Sequence, residues 1–88
     1  MKFTTKLKEI ELTTKLSQYL EEKMSSLDNV VKSFGSSVHA QVSLILETRH
    51  HQKGEIYLAE ILLYLPGKEI VVKTEADTIY NAIDAMKH

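Results

Sequence analysis

Four residues that are cationic, or become so on protonation, lie in one short stretch of the sequence: Arg49, His50, His51 and Lys53. Gly54 follows them directly, and glycine is common where a chain turns. Guanidinium and ammonium groups bind phosphates, while imidazoles can donate hydrogen bonds or stack on bases. The stretch therefore predicts a charged turn that contacts an anionic partner, with a solvated hairpin turn as the alternative.

Histidine is also a metal ligand, and His39, His50 and His51 are the candidates. Adjacent histidines in a turn or strand point in different directions, and the chain has no cysteine that could complete a zinc site. The nearby carboxylates are Glu47, Glu55 and Glu60. Nothing pairs these carboxylates with a buried base or a nucleophile. We therefore predict no metal, no cofactor and no catalytic site.

The composition describes one small domain of 88 residues with a net charge of -1. A near-neutral chain has no global attraction to nucleic acid, so RNA binding would depend on a local patch. No apolar run approaches the ~20 residues of a membrane span, and the N-terminus has no signal-peptide apolar region. We therefore expect a cytoplasmic protein.

Periodicity indicates the elements that position the charged turn. Apolar and polar residues alternate in four segments, which predicts strands at 1–8, 38–47, 56–65 and 69–74. Apolar residues three and four apart predict a first helix, capped by Thr13 or Thr14 and ended at Gly35, and a second helix carrying Ile79, Tyr80, Ile83 and Met86. Thr74 to Asp77 resembles a capping box for the second helix.

This β-α-β-β-β-α order predicts an α+β two-layer sandwich. Two helices with one apolar stripe each cover one face of a four-stranded sheet, and the first two strands are parallel neighbours. The uncovered face should carry Lys2, Lys6 and Lys8, either as an RNA-facing row or as a device against edge-strand aggregation. It should also carry an apolar group that could form a protein interface: Ile45, Leu58, Leu62, Tyr64 and Val71.

Three stretches together resemble a known family. They are Ile10–Thr13, then His51–Glu60 continuing to Leu65–Lys68, and finally Ala76–Asp84. Their order and spacing, over nearly the whole chain, resemble the short ribosome hibernation promoting factors, also called protein Y, ribosome-associated inhibitor or sigma-54 modulation protein. Residues 1–88 would then form one ribosome-binding-type domain.

The resemblance implies a non-enzymatic factor that binds the small ribosomal subunit and its rRNA. Such a factor occludes the tRNA and mRNA sites and inhibits translation under stress, without a membrane or a cofactor. The residues expected to contact rRNA are Lys6, Lys8, Arg49, His50, His51, Lys53 and Lys87.

Two departures from the family pattern support a different interpretation. The last helix is apparently shortened, keeping Lys87 where family members continue with many basic residues. Leu58 and Val71 stand where polar or basic residues are usual. The alternative is therefore a family-derived interaction module that forms a homodimer through its apolar sheet face and binds ribosomes weakly or not at all.

Overall fold

The computed structural model of the chain describes residues 2–34, 38–48 and 54–86. Its elements, in chain order, are β1 (Lys2–Lys8), α1 (Thr14–Val31) with a 3-10 turn (Lys32–Phe34), β2 (His39–Thr48), β3 (Glu55–Leu65), β4 (Lys68–Ala76) and α2 (Ile79–Ala85). The predicted order and the α+β fold class are therefore confirmed.

The four strands form one sheet in the order β1-β2-β3-β4. β1 pairs with β2 in parallel, in a register that places Lys2 opposite His39. β2, β3 and β4 form an antiparallel meander, as their short connections require. Both ends of the sheet, β1 and β4, are edge strands.

Both helices cover the same face of the sheet. The inward stripe of α1, from Leu16 to Val31, is buried together with Ile79, Ala82 and Ile83 of α2. These side chains pack on alternate strand positions, which are buried on β2 and β3: Ala40, Val42, Leu44, Ala59, Ile61 and Leu63. The strand positions between them point away from the helices, and we call that side of the sheet the open face.

The helix starts are fixed by threonines. Thr13 caps α1, because its hydroxyl accepts a hydrogen bond from the Leu16 N–H at 3.1 Å. Thr78 caps α2 and accepts from the Asn81 N–H at 3.0 Å. The expected capping box at Thr74 is wrong, since β4 continues to Ala76 and Thr74 is a strand residue.

Pro66 and Gly67 form the two-residue turn between β3 and β4. Leu65 and Lys68 are paired on either side, and Gly67 has a φ of +74°. Proline followed by a residue with positive φ is the pattern of a type II turn. This turn fixes the β3–β4 register and so decides which side chains are neighbours on the open face.

Candidate nucleic-acid interface

Three lysines of the edge strand β1 lie on the open face. Lys2, Lys6 and Lys8 alternate with the half-buried Phe3 and Thr5, so they point away from the helices. At about 3.3 Å of rise per residue, Lys2 and Lys6 are roughly 13 Å apart along the strand, and Lys6 and Lys8 roughly 7 Å. The structure thus places Lys2, Lys6 and Lys8 in one row on the uncovered face, as the alternation predicted.

The lysines of this row are available to an external anion. Within the part of the chain that the structure describes, Lys2, Lys6 and Lys8 form no ion pair with a carboxylate. Lys73 on β4 differs, because its ammonium lies 3.4 Å from the Glu60 carboxylate of β3. The β1 side of the open face therefore offers cationic groups that an anion can reach.

The carboxylates of the open face lie on the other three strands. Glu69 and Glu75 belong to β4, Glu60 to β3, and Glu47 to the end of β2. The lysine row therefore lies along β1, and three of these four carboxylates lie on β3 and β4. A polyanion on this face would be attracted to the β1 side and repelled from the β4 side.

The segment that was predicted to form the charged turn connects β2 to β3 at the end of the sheet where Lys8 lies. Thr48 and Glu55 are cross-strand partners on either side of it. Because β1 runs parallel to β2 and pairs Lys8 with Ile45, the last residues of β1 lie at that same end. Five predicted rRNA-binding residues fall outside the described part of the chain: Arg49, His50, His51, Lys53 and Lys87.

Tyr57 is anchored at the start of β3, immediately after this turn. Its hydroxyl donates a hydrogen bond to the Glu55 carboxylate at 3.2 Å. Burial first, and then the Glu55 carboxylate, raise the pKa of Tyr57 above its ordinary value of 10.0. The hydrogen bond links the side chains of two residues at the start of the strand.

At the opposite end of the open face, His39 and Tyr64 stack on each other. Their ring centroids are 4.5 Å apart and their planes differ by 20°. The sequence suggested His39 only as a metal ligand and Tyr64 only as an interface residue. Their contact depends on the β2–β3 register, which periodicity alone does not give.

The predicted apolar group lies on the open face but does not form one continuous patch. Ile45 pairs with Leu58 and Leu62 pairs with Val71 across neighbouring strands. The Glu60–Lys73 ion pair lies between these two apolar pairs. Val71 is 53% exposed, whereas the other members, with Tyr64, are half-buried.

A groove of about 420 Å³ lies on the helix side, between α1 and the strands β3 and β4. Its lining is mainly apolar and includes Leu27, Val30, Ile70 and Met86, with Lys23 and Lys68 among the lining residues. Such a groove contains no group of convergent polar side chains that would indicate a reaction.

The described residues indicate neither a metal site nor a membrane-spanning helix. Among them, no three His, Asp or Glu side chains form a group that could hold a metal ion. His50 and His51, two of the candidate zinc ligands, lie outside the described residues. None of the helices in the described part of the chain has the length and apolarity to cross a membrane.

These features define a small α+β domain with two helices on one sheet face and a row of lysines on the other. A family model described as sigma 54 modulation protein / S30EA ribosomal protein matches residues 3–88. The chain belongs to this ribosome-associated family.

Two solved structures have the same architecture. The N-terminal domain of Thermus thermophilus protein Y matches with a TM-score of 0.72 and 26% identity, over 98% of this chain and 86% of that one. A ribosomal subunit interface protein from Coxiella burnetii matches with a TM-score of 0.73 and 13% identity, over 98% of this chain and 85% of that one. The second likeness shows the fold alone. A search of curated protein sequences found no significant match.

Proposed function

We propose that this chain is a non-enzymatic cytoplasmic factor that binds the rRNA of the small ribosomal subunit. In this proposal the folded domain occupies space that tRNA and mRNA need and so inhibits translation under stress. Membership of the S30EA ribosomal protein family supports a ribosomal partner. The observation that carries the RNA assignment is the row Lys2, Lys6 and Lys8 on the open face.

The chemistry of the proposed contact is mainly electrostatic. Lysine and arginine side chains that neutralise phosphates release counterions, so the affinity falls as salt rises. Contacts to phosphates position a protein but carry no sequence information. Arg49, His50, His51, Lys53 and Lys87 would supply further contacts to the rRNA. The acidic β4 side would face away from the RNA.

Co-sedimentation with purified small subunits over a series of salt concentrations tests this proposal. We expect binding at low salt that weakens steeply as salt rises. The double changes Lys6→Glu/Lys8→Glu and Arg49→Glu/Lys53→Glu should each lower the affinity. Each should also reduce the slope of log K against log [salt] by about one for every phosphate that is no longer neutralised. Absence of binding at low salt would disprove the proposal for this chain.

A matched control separates local contacts from net charge. Lys23→Glu/Lys32→Glu makes the same change in charge on the helix layer, where Lys32 is exposed and Lys23 lies beside the groove. We expect this variant to keep most of the affinity and nearly the full salt slope. Equal reductions of affinity in all three double variants would contradict a specific β1 surface. If subunits saturated with the protein still bound tRNA as well as free subunits do, the occlusion mechanism would be contradicted, whereas the proposed rRNA binding would not.

The apolar pairs of the open face favour a second candidate function. Leu62 and Val71 lie side by side on a face that the helices leave uncovered, and Val71 is 53% exposed. Exposed apolar groups often mark protein interfaces. A homodimer formed through this face would bury both apolar pairs. The protein would then act as an interaction module with weak ribosome binding or none.

A further inference from the structure

The stacked pair His39 and Tyr64 has a geometry suited to another ring. The two residues are cross-strand partners, and their centroid separation of 4.5 Å is close to the ~4.8 Å between neighbouring strands. The rings therefore stand side by side, each with one face against the other. The second face of His39 is turned towards β1, and the second face of Tyr64 towards β4.

The environments of these two outer ring faces differ in charge. Lys2 is the β1 partner of His39, and Glu69 is the β4 partner of Tyr64. Both His39 and Lys2 are exposed, so a ligand can reach the imidazole from solvent, and the flexible Lys2 side chain can move aside to contact it. A ligand that combines a flat ring with a negative charge would be favoured on the Lys2 side and disfavoured on the Glu69 side.

An unpaired nucleotide has this combination of groups. Proteins that bind single-stranded nucleic acid pair a cationic track along the backbone with aromatic rings on which bases stack. Here the track would be Lys2, Lys6 and Lys8, and the stack lies beside its first residue. Base stacking tolerates any sequence because every base has a π face.

We propose that the His39–Tyr64 stack is a platform for one unpaired RNA base, which stacks on the β1-facing side of His39 while Lys2 contacts its phosphate. This inference deepens the proposed RNA-binding function and depends on it. It assigns a role to two residues that lie at the other end of the open face from the charged turn.

Nuclear magnetic resonance of the full chain tests the platform directly. An oligoadenylate of about eight nucleotides, a length within the site sizes of single-strand binders, is titrated at low salt while the ring protons of His39 and Tyr64 are followed. A base on the imidazole should move the His39 ring protons upfield by its ring current, and the Tyr64 protons less. An abasic oligomer of the same length supplies the phosphates alone and should cause no such shift.

Variants separate stacking from charge and from folding. His39→Leu removes the aromatic face and should weaken oligoadenylate binding about 5- to 100-fold without changing the salt slope. His39→Phe keeps a stacking face and should keep most of the affinity. Lys2→Ala should reduce the salt slope instead. Circular dichroism of each variant confirms that the fold is retained.

The outcomes distinguish this inference from the function on which it depends. If the chemical shifts of the His39 ring protons do not change, or change equally with the abasic oligomer, the platform proposal is wrong. This holds even if the chain binds small subunits. Upfield shifts with oligoadenylate in a chain that fails to co-sediment with subunits support the platform and disprove the ribosomal assignment.

Discussion

At the residue scale, Tyr19 connects the two helices. Its hydroxyl donates a hydrogen bond to the carboxylate of Asp84 on α2. Its ring contacts Tyr80 edge to face at 5.0 Å, and the Lys15 ammonium lies 5.0 Å from the Tyr80 ring centre. These contacts lie on the exposed side of the α1–α2 junction and hold the short α2 against α1.

The Tyr19–Asp84 contact predicts a decrease of stability in alkaline solution. The hydrogen bond to Asp84 raises the pKa of Tyr19 above its ordinary value of 10.0, and burial and nearby acidic charges add to the effect. Since the folded-state pKa is the higher one, the contribution to stability is fully present below about pH 10 and disappears as pH rises through the folded-state pKa.

Urea unfolding at about pH 8 and about pH 11 measures this effect. The stability of the wild-type chain should decrease more between the two pH values than that of Tyr19→Phe, which has no hydroxyl at this position to ionise. Asp84→Asn should bring the Tyr19 titration, followed by phenolate absorbance, back towards the ordinary value. An equal decrease of stability in wild type and Tyr19→Phe would show that the contact contributes nothing.

At the element scale, Thr74 attaches α2 to the sheet. In a continuing helix the Met86 N–H would bond the Ala82 carbonyl, but here it bonds Ile83 at 3.1 Å. The Ala82 carbonyl instead accepts a hydrogen bond from the Thr74 hydroxyl at 2.6 Å. The strand side chain therefore satisfies a carbonyl that the end of the short helix leaves without its usual partner.

Thr74→Val removes this hydrogen bond while keeping the size and β-branching of the side chain. Leaving a buried carbonyl unsatisfied should lower the free energy of unfolding by about 1–3 kcal/mol. Thr4→Val, on the exposed face of β1, is the matched control and should change stability by less than about 0.5 kcal/mol. Chemical unfolding of both variants checks this, and similar small effects at both positions would contradict an anchoring role for Thr74.

At the scale of the whole molecule, one face of the sheet serves both candidate functions. The helix side is occupied by the core, so RNA and a second copy would both bind the open face. A dimer through Leu62 and Val71 would cover β3 and β4, which β2 alone separates from the lysine row on β1. The two functions are therefore expected to compete.

Sedimentation velocity over a range of concentrations tests the dimer. If the second candidate is right, the chain self-associates, Leu62→Lys and Val71→Lys return it to monomer, and added oligoadenylate shifts the equilibrium towards monomer. Lysine substitution of the exposed Val30 on α1 is a control that should leave association unchanged. A monomer at high concentration would remove this candidate and leave the RNA-binding proposal unaffected.

The sequence alone determined the elements and the faces that they bury. Apolar spacing of three and four marked the inward stripe of α1, and alternation marked the core side of each strand, because both periods follow from local backbone geometry. The same alternation placed Lys2, Lys6 and Lys8 on one face. The predicted end of β4 was wrong because Thr74 can serve as a helix cap or as a strand residue, and its contact with Ala82 is not local.

The tertiary structure alone decided which side chains meet across the strands. Strand register depends on turn geometry and on packing against the helices, so periodicity does not reveal it. That register stacks His39 on Tyr64 beside Lys2, and it places the Glu60–Lys73 ion pair between the apolar pairs of the open face. The sequence predicted the lysine row, and the register decided that Lys6 and Lys8 lie opposite Ser43 and Ile45 whereas Lys73 lies opposite Glu60.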